Sequence, residues 1–128
     1  MKKVAELRDN INILVNRLNE KGEMEFAADI EEIINSCGRY IESINSMEAA
    51  ITSARFRLEG NDYREYVMNL DKSRRLTHNS LIVSVKLLNR YCRLAEMDPI
   101  YKGDMESRIE IAEFAQNVVN EMFDTRKL

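Results

Sequence analysis

Residues 30–58, IEEIINSCGRYIESINSMEAAITSARFRL, carry the pattern that decides the fold. Their apolar side chains recur every three or four positions, which is typical of an amphipathic helix packed along its length. Gly38 would cost about 1 kcal/mol relative to Ala inside a helix, yet the apolar pattern keeps its phase through it. We therefore predict one long helix of about 35 residues, which starts near Met24 and is stopped by Gly60, and we leave open a bend near Ser36, Cys37 and Gly38. Its apolar stripe is Ile30, Ile34, Cys37, Ile41, Ile44, Ile51 and Leu58.

Two further helices flank this segment. The first covers about residues 2–20 and ends at Gly22. The other begins after Asn61 and continues to about Ala95. Asp62 is its predicted N-cap, with Glu65 three residues later as an acidic analogue of the capping box.

A fourth helix follows a break at Asp98-Pro99, because proline lacks the amide hydrogen that a helix interior needs. Pro99 favours a first helical turn, so residues 99–101 are expected to form a short turn of helix. Gly103 and Asp104 then introduce the fourth helix, whose predicted apolar stripe is Met105, Ile109, Ala112, Ala115, Val119 and Met122.

These lengths predict the architecture. Two helices of about 20 residues and two of about 35 indicate an all-α, elongated antiparallel four-helix bundle with two long central helices. We expect residues 1–128 to form this single helical-bundle domain. The long helices would project past the short ones and leave apolar side chains uncovered, and a second copy would cover them in a homodimer. The uncovered residues include Met47, Ile51, Leu58, Tyr63, Tyr66 and Val67.

Composition and charge restrict the classes of function. The chain of 128 residues has a net charge of -3, so the whole molecule has no electrostatic attraction to nucleic acid or anionic membranes. No apolar run approaches the about 18 residues that span a bilayer, and the N-terminus lacks the apolar core of a signal peptide. The sequence therefore predicts a cytoplasmic protein without membrane contact.

The two cysteines, Cys37 and Cys92, each lie within an apolar helical pattern. Such cysteines are expected to be buried and reduced rather than joined in a disulfide. With one histidine and no CxxC motif, the chain cannot assemble the usual zinc sites. We expect no metal and no cofactor.

Residues 69–82, NLDKSRRLTHNSLI, interrupt the apolar side of the third helix with polar residues. One interpretation is a structural network in which Asp71 pairs with Arg74 or Arg75 and His78 donates to another helix. Its members would be Asp71, Arg74, Arg75, His78 and Asn79.

The other interpretation is an anion or phosphate site, with Arg74 or Arg75 as the charge clamp and His78 as general acid or base. The nearest enzyme analogy is a helical, metal-independent ribonuclease whose motif pairs an Arg with a His four to six residues later. Arg74 has three residues before His78 and Arg75 has two, so the spacing departs from that motif. Enzymatic activity is therefore disfavoured, and no catalytic residue is assigned.

The same segment carries a family resemblance. Its pattern D-x-x-R-R-x-x-H-N-x-L-I resembles a segment of a family of small bacterial all-helical proteins, a domain of unknown function. The resemblance covers only the middle of the third helix. It implies a bacterial cytoplasmic protein and names no catalytic residue. The matching residues are Asp71, Arg74, Arg75, His78, Asn79, Leu81 and Ile82.

A basic stripe lies beside this polar segment. With His78 at zero on a helical wheel, six basic side chains fall between about +40° and +120°; they are Arg64, Lys72, Arg75, Lys86, Arg90 and Arg93. Residues 62–95 have a net charge of +4 and the remainder has -7. The stripe would either be solvated or paired with acidic helices of the bundle, or it would bind phosphates.

Two functions follow from these features. The favoured one is a protein that acts through protein–protein interaction or self-association, without chemistry of its own. The alternative is a phosphate or nucleic-acid binding module that uses the basic stripe.

Overall fold

The computed structural model describes residues 3–123 and contains four α-helices within them. They are α1 (Lys3–Glu20), α2 (Met24–Arg57), α3 (Gly60–Leu94) and α4 (Arg108–Met122). Residues 3–123 include no β-strand, which confirms the all-α prediction. Within the same residues, no helix is both long enough and apolar enough to cross a membrane.

The long helix α2 continues through Gly38 without interruption, as predicted. It packs antiparallel to α3, and two side-chain pairs fix the alignment. The Tyr91 hydroxyl donates to Asp29 Oδ2 at 2.6 Å, and the Ser84 hydroxyl donates to Ser36 Oγ at 3.1 Å. From the first pair to the second, the residue number rises by seven in α2 and falls by seven in α3, as it must in an antiparallel pair.

The turn between α2 and α3 is tighter than predicted. Gly60 has a φ of +57°, in the left-handed region that glycine adopts without steric cost. The chain therefore reverses at once, and α3 starts at Gly60 with Glu59 as its N-cap. The prediction of Asp62 as N-cap is wrong, because Asp62 already lies in the first turn of the helix.

Residues 99–101 are not helical, so the helical turn predicted there is wrong. Asn89 holds this segment: its Nδ2 donates to Tyr101 O at 2.9 Å, and its Oδ1 accepts from Tyr101 N at 3.1 Å. Both backbone groups of Tyr101 therefore bond to a side chain of α3 rather than to a helical turn.

α4 starts later than predicted and has 15 residues rather than about 20. Ser107 is its N-cap, and the Ser107 Oγ accepts from Glu110 N at 3.1 Å. Asp104 lies before the helix, in the connection. Its amide donates to Glu110 Oε1, and its carboxylate accepts from Glu106 N.

α4 also starts at an unexpected place. Arg108, its first residue, is close enough to Asp71 and His78 for its charge to lower their pKa values. His78 lies about 24 Å before the end of α3, so the connection returns along α3 before α4 begins.

The far end of α4 lies beside the first half of α1, where Glu121 accepts a hydrogen bond from Arg8 N at 3.0 Å. The predicted antiparallel packing holds for α2 and α3, the two long helices.

The core lies where α1 and α4 cover α2 and α3, and it includes Ile11, Leu14, Ile30, Leu81, Leu88 and Ile111. Two predicted stripes are rotated relative to the real buried faces. In α2, Ile33 and Tyr40 are buried, while Ile34 and Ile41 are half-buried. In α4, Ile109 is 72% exposed. The single-stripe prediction failed because α2 contacts α1, α3 and α4 together.

Beyond this core, α2 and α3 extend as a two-helix projection that we call the arm, residues 44–76. Ala54 is its one buried residue. The six apolar residues predicted to be left uncovered are all half-buried here: Met47, Ile51, Leu58, Tyr63, Tyr66 and Val67.

Candidate functional site

The polar segment of α3 lies where the arm meets the core. Asp71 Oδ1 accepts from Arg74 Nη2 at 2.6 Å and from Arg74 Nε at 3.2 Å. Asp71 Oδ2 pairs with Arg75 Nη2 at 2.9 Å. The spacings of three and four residues place these side chains on one face of the helix. Asp71 therefore binds both arginines at once, where the sequence left a choice between them.

These cations stabilise the ionised carboxylate. The hydrogen bond from Arg74 lowers the pKa of Asp71, and the charges of Arg74, Arg75 and Arg108 lower it further. Asp71 is consequently ionised at neutral pH, and each of its two carboxylate oxygens already has an arginine partner.

His78 is buried, with 5% of its surface exposed. Its ring centroid lies 6.0 Å from that of Tyr40 on α2. Among the described residues, its Nδ1 has no hydrogen-bond partner, so the predicted donation from His78 to another helix is not made through that atom.

Burial lowers the pKa of His78 below its ordinary value of 6.5, and the charges of Arg108 and Arg74 add to the effect. The imidazole is therefore neutral at pH 7. A neutral, buried ring is poorly placed to exchange protons with a substrate in solution.

The structure adds one residue to this cluster and leaves one apart. Asn79 is exposed on the surface of α3. Arg108 was not predicted, because its position depends on the direction of the connection before α4. No periodicity in the sequence indicates that direction.

A groove opens beside the cluster along the inner face of the arm. Its volume is about 160 Å³, and its lining residues are Ile44, Met47, Glu48, Ile51, Val67, Leu70, Asp71 and Arg74. Pockets for drug-sized ligands have volumes of about 300–1,000 Å³. This groove is smaller and mostly apolar, so it suits inserted side chains of a protein better than a substrate molecule.

The basic stripe of α3 is exposed along its whole length. Arg75 pairs with Asp71 of its own helix, and Arg64 donates to Asn61. No ion pair within residues 3–123 joins the other four members, Lys72, Lys86, Arg90 and Arg93, to a carboxylate. The basic stripe is therefore exposed to solvent, and within residues 3–123 no acidic side chain of another helix forms an ion pair with it.

The two cysteines are free and buried, as predicted. Burial raises the pKa of Cys37 to about 12 and also raises that of Cys92. Both thiols are protonated at neutral pH, and a protonated thiol is a poor nucleophile. Neither cysteine is a candidate for covalent catalysis.

Comparison with curated proteins and with solved structures finds no match. A comparison with protein families does find one, described as a protein of unknown function (DUF3232), and its model matches residues 3–128. The chain therefore belongs to the DUF3232 family.

Proposed function

We propose that this protein is a cytoplasmic homodimer that acts through protein–protein contacts, with the arm of one chain packed against the arm of the second. The observation that carries the proposal is the arm itself, where Ala54 alone is buried among residues 44–76. The free, buried cysteines are typical of a reducing compartment and support the cytoplasmic location.

The arm needs a partner for physical reasons. Helices in proteins derive most of their stability from packing an apolar face, and two helices alone bury little of it. Two arms packed together would form a four-helix bundle, in which the half-buried side chains Met47, Ile51 and Val67 become core.

The groove also has the charges that a two-fold interface requires. In such an interface the same patch meets itself, so it must be self-complementary. Glu48 and Arg74 line the groove with opposite charges. Glu48 of one chain would thus face Arg74 of the other, while the apolar residues between them interdigitate.

Light scattering after gel filtration tests the proposal. The wild-type protein should have twice the 15.0 kDa mass of one chain. Ile51→Glu places a charge in the groove and should yield a monomer. Val83→Glu is the matched control, since Val83 is 64% exposed on the same helix pair outside the groove, and it should remain dimeric. A monomeric wild type, or a dimeric Ile51→Glu protein with intact helical circular dichroism, would contradict the proposal.

The second candidate function is binding of nucleic acid along the basic stripe. The observation in its favour is that Lys72, Lys86, Arg90 and Arg93 have no carboxylate partner among the described residues. Cations spaced along a helix bind phosphates in a salt-dependent way. A mobility shift with RNA or DNA that is lost in the double variant Lys86→Glu, Arg90→Glu would support this function. No shift at low salt would eliminate it.

A further inference from the structure

α3 carries a second line of apolar residues on its outer surface. Leu76 is 71% exposed, Val83 is 64% exposed and Leu94 is 45% exposed, and Leu87 between them is half-buried. On a helical wheel with His78 at zero, these four lie between about 140° and 180°. The core residues Leu81, Val85 and Leu88 lie between about -20° and -80°. Leu76, Val83 and Leu94 therefore face away from the bundle, while the half-buried Leu87 also packs against the core.

The spacing of this line is that of a coiled-coil seam. Positions 76, 80, 83, 87, 90 and 94 are separated by alternating steps of four and three residues, the heptad pattern of a and d positions. We call these six residues the outer seam. It extends about 27 Å along α3, and four of its six residues are apolar; the others are Ser80 and Arg90.

We propose that the outer seam binds one amphipathic helix of a partner protein whose flanks are acidic. The apolar residues supply the contact, since exposed apolar lines of this length mark interaction surfaces. The outer seam lies on the side of α3 opposite the groove, so the interaction does not depend on the proposed dimer.

The charges beside the outer seam indicate the chemistry of the partner. Lys72, Lys86, Arg90 and Arg93 lie on or beside one edge, while Ser73 and Ser80 lie towards the other and are uncharged. A second α3 packed antiparallel would bring the two basic edges together, and like charges at such positions oppose pairing. A second α3 packed parallel would place its uncharged edge beside the basic one and would supply no counter-charge. A helix with Glu or Asp along its flank would instead pair with that edge.

Arg90 sets the register of the partner. It occupies a d position, where a polar residue specifies alignment at a cost in stability. Burying its charge without a counter-ion is expensive, so the bound helix must place a carboxylate opposite Arg90. Ser80, a small residue at an a position, leaves room for a larger partner side chain.

The probe for this proposal is a synthetic peptide of about three heptads with leucine at a and d and glutamate at the flanking positions. Its glutamates repel one another and so prevent it from pairing with itself. A fluorescent label on the peptide allows binding to be measured by anisotropy. The control peptide has lysine in place of every flanking glutamate.

The acidic peptide should bind the wild-type protein, and the lysine peptide should not. Val83→Glu, or Leu76→Glu as a second variant, should abolish binding, and Lys86→Glu with Arg90→Glu should weaken it by at least about tenfold. Ile51→Glu should bind the peptide normally even if it changes the oligomeric state, which separates this proposal from the proposed dimer.

Several outcomes would overturn the inference. One is equal binding of both peptides, or unchanged binding to folded Val83→Glu protein. Another is conversion of a wild-type dimer to a monomer by Val83→Glu, which would assign the outer seam to a second copy. A third is binding to anionic vesicles, lost in Val83→Glu, without any binding of the acidic peptide; this would assign the outer seam to a membrane surface.

Discussion

The ring of Phe123 at the end of α4 lies against Gly38 in the middle of α2. A Cβ atom added at residue 38 would come within 2.9 Å of Phe123 Cζ. The glycine therefore makes room for α4 and does not break α2. Its cost in helix propensity is offset by this close packing.

Because of this contact, we predict that Gly38→Ala changes the free energy of unfolding by different amounts in the presence and in the absence of the Phe123 ring. In a Phe123→Ala background, Gly38→Ala should stabilise the protein by about 1 kcal/mol, the ordinary difference in helix propensity. In the wild type, the gain should be smaller because the ring must move. A double-mutant cycle of urea unfolding measures the difference. Equal effects in both backgrounds would show that the ring does not restrict residue 38.

His78 should make stability depend on pH near neutrality. Since its pKa is below 6.5 in the folded protein, the unfolded chain binds a proton first as the pH falls. The contribution of His78 to stability is therefore complete above pH 6.5 and is lost as the pH falls through the lowered pKa.

The measurement is the urea midpoint at several pH values between about 7.5 and 5.5, a range above the ordinary titration of Asp and Glu. Wild type should lose stability across this range, and His78→Gln should lose less. The chain has no second histidine, so the difference reports this ring alone. A flat wild-type profile would mean that the ring is accessible to water.

Asn89 should contribute to stability because it holds the connection between α3 and α4. Asn89→Ala removes both hydrogen bonds to the backbone of Tyr101 and should destabilise the protein by about 1–3 kcal/mol. Asn79→Ala is the matched control, because Asn79 lies on the same helix and is exposed; its effect should stay within about 0.5 kcal/mol. Equal effects of the two substitutions would contradict this role for Asn89.

Much of the fold was accessible from the sequence. Apolar spacing alone gave the extent of α2, including its passage through Gly38, because helix period and length are local properties. The same reasoning placed His78 on an inward face. It also predicted which arm residues would be left uncovered, since helix lengths determine where a bundle ends.

The errors at the start of α4 have a common physical origin in side-chain contacts of the connection. The start of α4 depends on Asn89 binding Tyr101 and on Asp104 binding Glu110, and no apolar periodicity predicts these contacts. Arg108 joined the polar cluster for the same reason. The outer seam was different, because its heptad spacing is present in the sequence but lies on the face of α3 opposite the core.

Hydrogen exchange can show whether two arms pack against each other. An unpaired arm has few buried contacts and should open locally, so its amides should exchange quickly. If the arms pair, exchange in residues 44–57 and 60–74 should slow as protein concentration rises, while exchange in the core around Leu81 and Leu88 should stay constant. Exchange in the arm that is independent of concentration, in a protein shown to be monomeric throughout, would show that the arms do not pair.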